Sequence, residues 1–334
     1  MKKRNRLVLG SYLLGLGIVM GASAQAEPRP YTQQPTVSFR ALAPATDPHP
    51  LNPHVRYVGG YELTGNGTSR LTGLSDLQLT PDGDTLHVEA NSDWGWIVRF
   101  DLKPDGKGGM ANSPLEIDDL KDANGQPLMD KTFGDAEDIA YDPASGARFV
   151  SYEGVQRIER YPQPETWRGQ GTILPLTGLA NFPENFGMEG LTYVRDKAGD
   201  YLLIGVEAGG YWRCPVATWA CTEVDGPAVP GFMYMTTSLA VLDYNDPRHD
   251  HDVLALYRFY TPFTGPRNIL RLLHSDGNKL TVVEDLAKIA PPLPYDNFEG
   301  VAAIRTATGY RLYLVSDGLH DADKPKILIF DWTE

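Results

Sequence analysis

One pattern recurs along this chain and limits its possible folds more than any other feature. An acidic residue precedes a short apolar stretch, a tight turn follows, and a second apolar stretch ends in another acidic residue. The clearest copy runs from Tyr295 to Asp317, and Asp135 to Glu153 and Met188 to Glu207 keep the same order. A weaker copy spans Leu74 to Asp93, and a degenerate one spans Ser238 to Arg258. A period of roughly 50 residues is that of propeller blades or solenoid units, none of which can bury a core alone.

Counting alternating apolar runs gives four strands per unit, at Leu74–Leu79, Thr85–Ala90, Ile97–Leu102 and Leu115–Ile117 in the first. The second to fourth units continue the series to Lys279–Glu284, with Glu284–Ile289 able to form a helical turn or two. The last unit offers Val301–Ile304, Arg311–Val315 and Lys326–Asp331, and Val55–Leu63 supplies its missing strand. The reading is therefore all-β, a single β-propeller of about five four-stranded blades, its ring closed by the N- and C-terminal strands. Six blades stay open, because the connections 103–132 and 225–237 are long enough to hide strands.

Residues 1–26 read as a signal peptide. Lys2, Lys3, Arg4 and Arg6 precede an apolar run to Ala22, and Ala24-Gln25-Ala26 suits cleavage. Residues 27–54 hold seven prolines and read as an extended leader, leaving 55–334 as the propeller domain. The expected location is periplasmic or secreted, with no membrane span after signal removal. Losing four basic residues and no acidic ones moves the net charge from -13 to -17, which disfavours nucleic acid as a partner and favours cations. We expect a monomer acting on a small-molecule ester. Cys214 and Cys221 flank a hairpin turn in an exported chain and are expected to form a disulfide.

Two antiparallel strands joined by a tight turn bring their acidic ends to one end of the hairpin. The set is Asp76, Asp93, Glu137, Glu153, Glu189, Glu207, Glu299 and Asp317, with Arg258 at the matching strand end of the fourth unit. Arranged radially, these side chains share one rim of a central channel. Crowded carboxylates raise one another's pKa, and a bound cation relieves them. Oxygen ligands point to Ca²⁺, with Mg²⁺ second, held by Glu137, Glu189, Glu299, Glu153 and Glu207. The competing reading is that these residues cap hairpin backbone N–H groups. Glu189, Arg258, Asp317, Asp93 and His320 are the candidate catalytic residues, His320 for proton transfer and Arg258 for an anionic group, with Arg267 able to join it. Arg248 to Asp252 (R-H-D-H-D) falls at the opposite rim and reads as a solvated turn. Serine-hydrolase elbow, zinc-pair, P-loop and dinucleotide signatures are missing.

The segments G-L-S-D-L, D-A-E-D-I-A-Y-D, N-F-G-M-E-G-L, L-A-L-Y-R-F-Y, D-N-F-E-G-V-A and Y-L-V-S-D-G, in this order, resemble the exported "esterase-like activity of phytase" family, a phytase-like β-propeller group. The resemblance covers about Gly73 to Asp331. It implies an enzyme acting on phosphate or other esters, with functional positions at Glu137, Glu189, Glu299, Asp93, Asp317 and Arg258. Two departures stand out. Tyr257-Arg258 replaces a Glu-Arg pair, and Asp76 and Asp138 stand where Gly is common. Three activities are compatible with these residues: a metal-assisted phosphate-ester hydrolase, a Ca²⁺-stabilised binding module without turnover, and a lactonase-like or carboxylesterase-like propeller enzyme.

Overall fold

The computed structural model describes residues 34–128, 130–162, 170–183, 186–207, 209–318 and 324–334. The signal segment and the start of the leader lie outside the described residues. In chain order, β1 (Thr36–Ala41) and β2 (Val55–Asn66) precede the first blade, which is β3 (Leu74–Asp82), β4 (Thr85–Ser92), β5 (Trp96–Leu102) and, after a two-residue β6 (Ser113–Pro114), β7 (Glu116–Asp119). A single helical turn, α1 (Lys131–Gly134), capped by Asp130, leads into the second blade: β8 (Ala136–Tyr141), β9 (Arg148–Tyr152), β10 (Arg157–Tyr161) and β11 (Thr172–Ile173). The third is β12 (Met188–Val194), β13 (Tyr201–Val206), β14 (Tyr211–Pro215) and β15 (Thr222–Val224); the fourth is β16 (Tyr234–Val241), β17 (Asp252–Thr261), β18 (Gly265–Ser275) and β19 (Leu280–Ile289). The fifth contains β20 (Phe298–Thr306), β21 (Gly309–Ser316) and β22 (Lys326–Thr333), then β2, β1 and β6.

Five blades close the ring, not six. The innermost strands β3, β8, β12, β16 and β20 touch one another in turn, with β20 returning to β3. Five apolar clusters fill the spaces between neighbouring blades, such as Leu256, Leu272, Leu312 and Phe330 between the fourth and fifth. Val55↔Trp332 through Glu62↔Lys326 joins the two ends of the chain, as the missing-strand count requires. The Cys214–Cys221 disulfide spans the outer hairpin of the third blade.

Two expectations change. Residues 36–41 are not leader: β1 pairs with β2 along Thr36↔Asn66 to Ala41↔Tyr61, and its end pairs with β6. Val37, fully buried against the first blade, makes this short strand worthwhile despite the surrounding prolines. Glu284–Ile289 forms no helix but continues β19, because the long partner β18 offers hydrogen bonds along its whole length.

The inner edges of the five innermost strands face the axis and have no ladder partner, so side chains must satisfy them. Asp138 Oδ2 accepts from Leu191 N at 2.7 Å and from Leu239 N at 3.0 Å, tying the second blade to the third and fourth. Asp76 Oδ2 accepts from Ile139 N at 3.2 Å, tying the first blade to the second. The residues at this level of the five blades are Asp76, Asp138, Gly190, Ser238 and Gly300, each just after an extra residue in the strand. A Cβ on Gly300 would stand 2.6 Å from Asp76 Cα, and one on Gly190 2.8 Å from Leu239 Cγ. Two carboxyls therefore fit on the axis only because the other three positions are small.

Both axial carboxyls are fully buried and hydrogen-bonded to each other. Burial pushes Asp76 up to about 6, and burial with the neighbouring Asp76 charge holds Asp138 well above the usual range. A carboxyl whose folded-state pKa exceeds its unfolded value of 3.8 contributes stability that is complete below that value and is lost as pH climbs through the folded value. With chelator present, the thermal midpoint should fall from pH 5 to pH 8, and Asp138→Asn should make the fall shallower. Asp138→Ala, which orphans two buried N–H groups at about 1–3 kcal/mol each, should lower the midpoint at every pH. Thermal melts across pH check both expectations.

Candidate functional site

Every innermost strand carries a one-residue bulge at its rim end, and the bulged residues are Ser75, Glu137, Glu189, Thr237 and Glu299. A bulge turns the extra side chain out of the alternation of the pleat. Opposite them stand Asp93, Glu153, Glu207, Arg258 and Asp317. Four of these donate their backbone N–H to the residue two before the bulge: Asp93 to Gly73, Glu153 to Asp135, Glu207 to Gly187 and Asp317 to Asn297. In the fourth blade the matching residue, Arg258, pairs with Met235 inside the ladder. Two concentric sets of five positions thus converge on one rim.

Asp76 does not belong to this rim. The bulge shifts the register by one, so Ser75 takes the place expected for Asp76, which sits one level deeper on the axis. The other seven expected carboxylates are all buried there, none more than 8 % exposed. Their hydrogen bonding is uneven. Glu153 accepts from Gly187 N at 3.0 Å, a cap of the kind the competing reading requires. Asn297 donates to Glu299 at 2.8 Å and to Asp317 at 2.6 Å.

Two cations neutralise opposite sides of the rim. Arg258 reaches Glu299 at 2.6 Å and Glu207 at 2.8 Å. Burial works to lower its pKa, yet Glu299, Glu189 and Glu207 hold it above its ordinary value. Lys131, on α1, reaches Asp93 at 2.5 Å and Asp135 at 2.8 Å, and lies over the Trp94 ring. Glu137 and Glu189 remain, 7 % and 6 % exposed, with no hydrogen bond or ion pair among the described residues. Burial drives both carboxyls well above the usual range; Glu189, Asp135 and Glu299 add repulsion at Glu137, and Glu207 adds it at Glu189. Burial also orphans Asp93 Oδ1.

Carboxylate oxygens of Glu153, Glu189 and Glu207 lie within 4.8 Å of one another, as do those of Asp135, Glu137 and Glu153. Oxygen ligands at 2.3–2.6 Å from one Ca²⁺ are at most about 5 Å apart, so either trio suits a hard cation. Glu299 belongs to neither trio, because Arg258 and Asn297 engage it.

Several expectations fall elsewhere. His320 lies outside the described residues. Arg267 does not join Arg258; it stacks on Tyr295 at 4.9 Å and donates to Pro266 O. The R-H-D-H-D segment is at the far rim, in a short 3-10 turn with Arg248 and Asp250 exposed; His249 bonds Asp252 at 2.8 Å and also Glu334, while Arg248 and Arg305 engage the buried Asp246. Arg248 also pairs with Glu334, and Asp252 is held by His249 and His274. Lys131, Asp135 and Asn297 were not singled out in the sequence. Asp135 and Asn297 could have been, since both stand two residues before a bulge glutamate.

The family described as "Phytase-like: Esterase-like activity of phytase" matches residues 69–318. No curated protein matches the chain. Among solved structures, the catalytic domain of a Coprinopsis cinerea GH62 alpha-L-arabinofuranosidase is similar with a TM-score of 0.50 and 11 % identity, over 79 % of this chain and 92 % of that one. The major allergen Mala s 1 of Malassezia sympodialis has a TM-score of 0.44 and 16 % identity, over 83 % and 90 %. An endo-arabinase from Bacteroides thetaiotaomicron has 0.44 and 13 %, over 78 % and 94 %. At such identities the likeness concerns the fold alone.

Removing Arg258 strands two buried carboxylates. Arg258→Leu should destabilise the protein by about 3–5 kcal/mol at pH 8, the usual cost of breaking a buried pair. The loss should shrink toward pH 5, where Glu207 and Glu299, both raised mainly by burial, take up protons. Denaturant melts at the two pH values measure it.

Proposed function

Because the chain belongs to the esterase-like activity of phytase family, we propose that it is an exported hydrolase of phosphate esters working at the acidic rim, with Ca²⁺ before Mg²⁺ as its cation. One observation carries the reading: Glu137 and Glu189 are buried among other carboxylates with no hydrogen bond or ion pair among the described residues. Such groups are costly unless something positive completes them. The all-oxygen donor set favours a hard ion over zinc or copper. Glu153 would hold it, either with Glu189 and Glu207 or with Glu137 and Asp135. Bound there, such an ion supplies charge neutralisation for a phosphoryl group and acidifies water.

The chain's own residues supply the rest. Arg258, pinned between Glu207 and Glu299, is fixed in orientation, and its buried Nε has no partner among the described residues, leaving a donor for a phosphoryl oxygen. Asp93 and Asp317 lie across the rim, where Lys131 and Asn297 orient them. The disulfide supports a location outside the cytoplasm, periplasmic or secreted. No helix among the described residues is long and apolar enough to cross a membrane.

Metal analysis with thermal melts tests this reading. Ca²⁺ should raise the thermal midpoint by several degrees, and Glu189→Gln should remove most of that rise and lower phosphomonoester turnover by about a hundredfold. A Ca²⁺ response identical in Glu189→Gln and the parent removes the rim as the site. Stabilisation without hydrolysis of any ester would make the protein a binding module.

A further inference from the structure

The acidic rim is ringed by aromatic side chains. Among the described residues, every exposed large aromatic ring stands at this end of the blades: Trp94, Phe133, Phe186, Phe232, Tyr260 and Phe263. The remaining exposed large apolar residues at the far rim or on outer strands, such as Leu51 and Val282, are all aliphatic. Phe232 and Phe263 are 90 % and 97 % exposed, on the fourth blade, where β17 and β18 run beyond the rim as a projecting hairpin. These two rings sit in segments without a charged residue, 226–242 and 259–266, in a chain of net charge -13. An apolar patch of this kind marks a contact site.

The ring of aromatics is continuous with the acidic rim. Trp94 follows Asp93 and stacks under Lys131, which itself binds Asp93 and Asp135. Phe186 precedes Gly187, whose N–H meets Glu153. Tyr260 is two residues beyond Arg258 in the same strand. Trp94, Phe186 and Tyr260 therefore stand beside the carboxylates, with Phe232 and Phe263 farther out on the fourth blade. Among the described residues, the two cations bonded within the rim, Lys131 and Arg258, each engage two carboxylates, which leaves neither as a free charge for a second or third phosphate.

We infer that the substrate is a phosphate monoester with a large apolar or aromatic organic group, and that Phe232 and Phe263 determine that specificity by holding the organic group while the phosphate enters the rim. This inference rests on the hydrolase reading above. In the reaction, water adds its oxygen to phosphorus, the ester P–O bond breaks, and the alcohol or phenol leaves with a proton, giving inorganic phosphate. A highly phosphorylated polyol, with no apolar face and several charges, is a poor fit.

The test uses Ca²⁺-loaded full-length protein with 2-naphthyl phosphate, methyl phosphate and inositol hexakisphosphate. The naphthyl ester should exceed the methyl ester at least tenfold in kcat/KM. Phe232→Ser with Phe263→Ser should reduce that ratio at least fivefold, chiefly through KM. A ratio near one in the parent, an unchanged ratio in the double variant, or faster turnover of the hexakisphosphate overturns the inference. A double variant that instead loses binding to phosphatidylcholine vesicles, or loses self-association, with the ratio intact, assigns the rings to a lipid surface or a second copy and overturns it equally. Binding of 2-naphthyl phosphonate against methyl phosphonate, by calorimetry, gives the same ratio without turnover. Failure of the hydrolase reading shows separately, as no Ca²⁺ response and no dependence on Glu189.

Discussion

The structure depends on how the unpaired inner edges of five strands are satisfied where they meet. Four innermost strands could splay apart at the axis were it not for Asp138, whose single oxygen accepts N–H groups from two other blades, and Asp76, which caps a third. Shorter links complete the circuit: Asn91 donates to Ala136 O, Asn268 to Phe298 O, and the Tyr244 hydroxyl to Tyr141 O and Tyr193 O. Hydrogen bonds of this kind contribute little individually but are costly to leave unmade. Because apolar packing between blades is non-directional, it is this polar circuit that fixes the angular position of each blade.

That angular position sets the chemistry. The bulge at the rim end of each innermost strand lies one residue from the axial level, so the side chain that leaves the pleat is held by the same backbone that the axial carboxyls secure. Glutamate occupies three of these bulges and a hydroxyl residue the other two, Ser75 and Thr237. The negative charge is therefore lopsided, concentrated on the second, third and fifth blades. Arg258 enters from the fourth blade, where a glutamate is lacking, and Lys131 covers the side of the first. What is left without a hydrogen bond or ion pair among the described residues is a small arc around Glu137 and Glu189.

Much of this was legible in the residues. Alternating apolar runs and their period gave the blades, since each strand buries one face between neighbours, and the closing strand followed from counting. The rim positions of Glu137, Glu189, Glu299, Asp93, Asp317 and Arg258 were readable because strand ends stay in phase across repeats. The one-residue error at Asp76 arose because a bulge adds a residue without leaving a mark in the spacing. Lys131 was hidden because its role comes from a single turn of helix in a crossing connection, not from the repeat. The strand at 36–41 was hidden among prolines, since what stabilises it is burial of Val37 against a blade more than thirty residues away.

The join between β2 and β22 has a kinetic consequence. Val55 pairs with Trp332, so almost the whole chain must exist before the fifth blade can form. Contacts of such long sequence separation incur their loop-closure entropy before any pairing rewards it, which slows the final step. Until the C-terminal strand arrives, the other blades form an open arc with apolar flanks at both ends. Loss of β22 would therefore leave that arc unsealed and prone to associate with other copies.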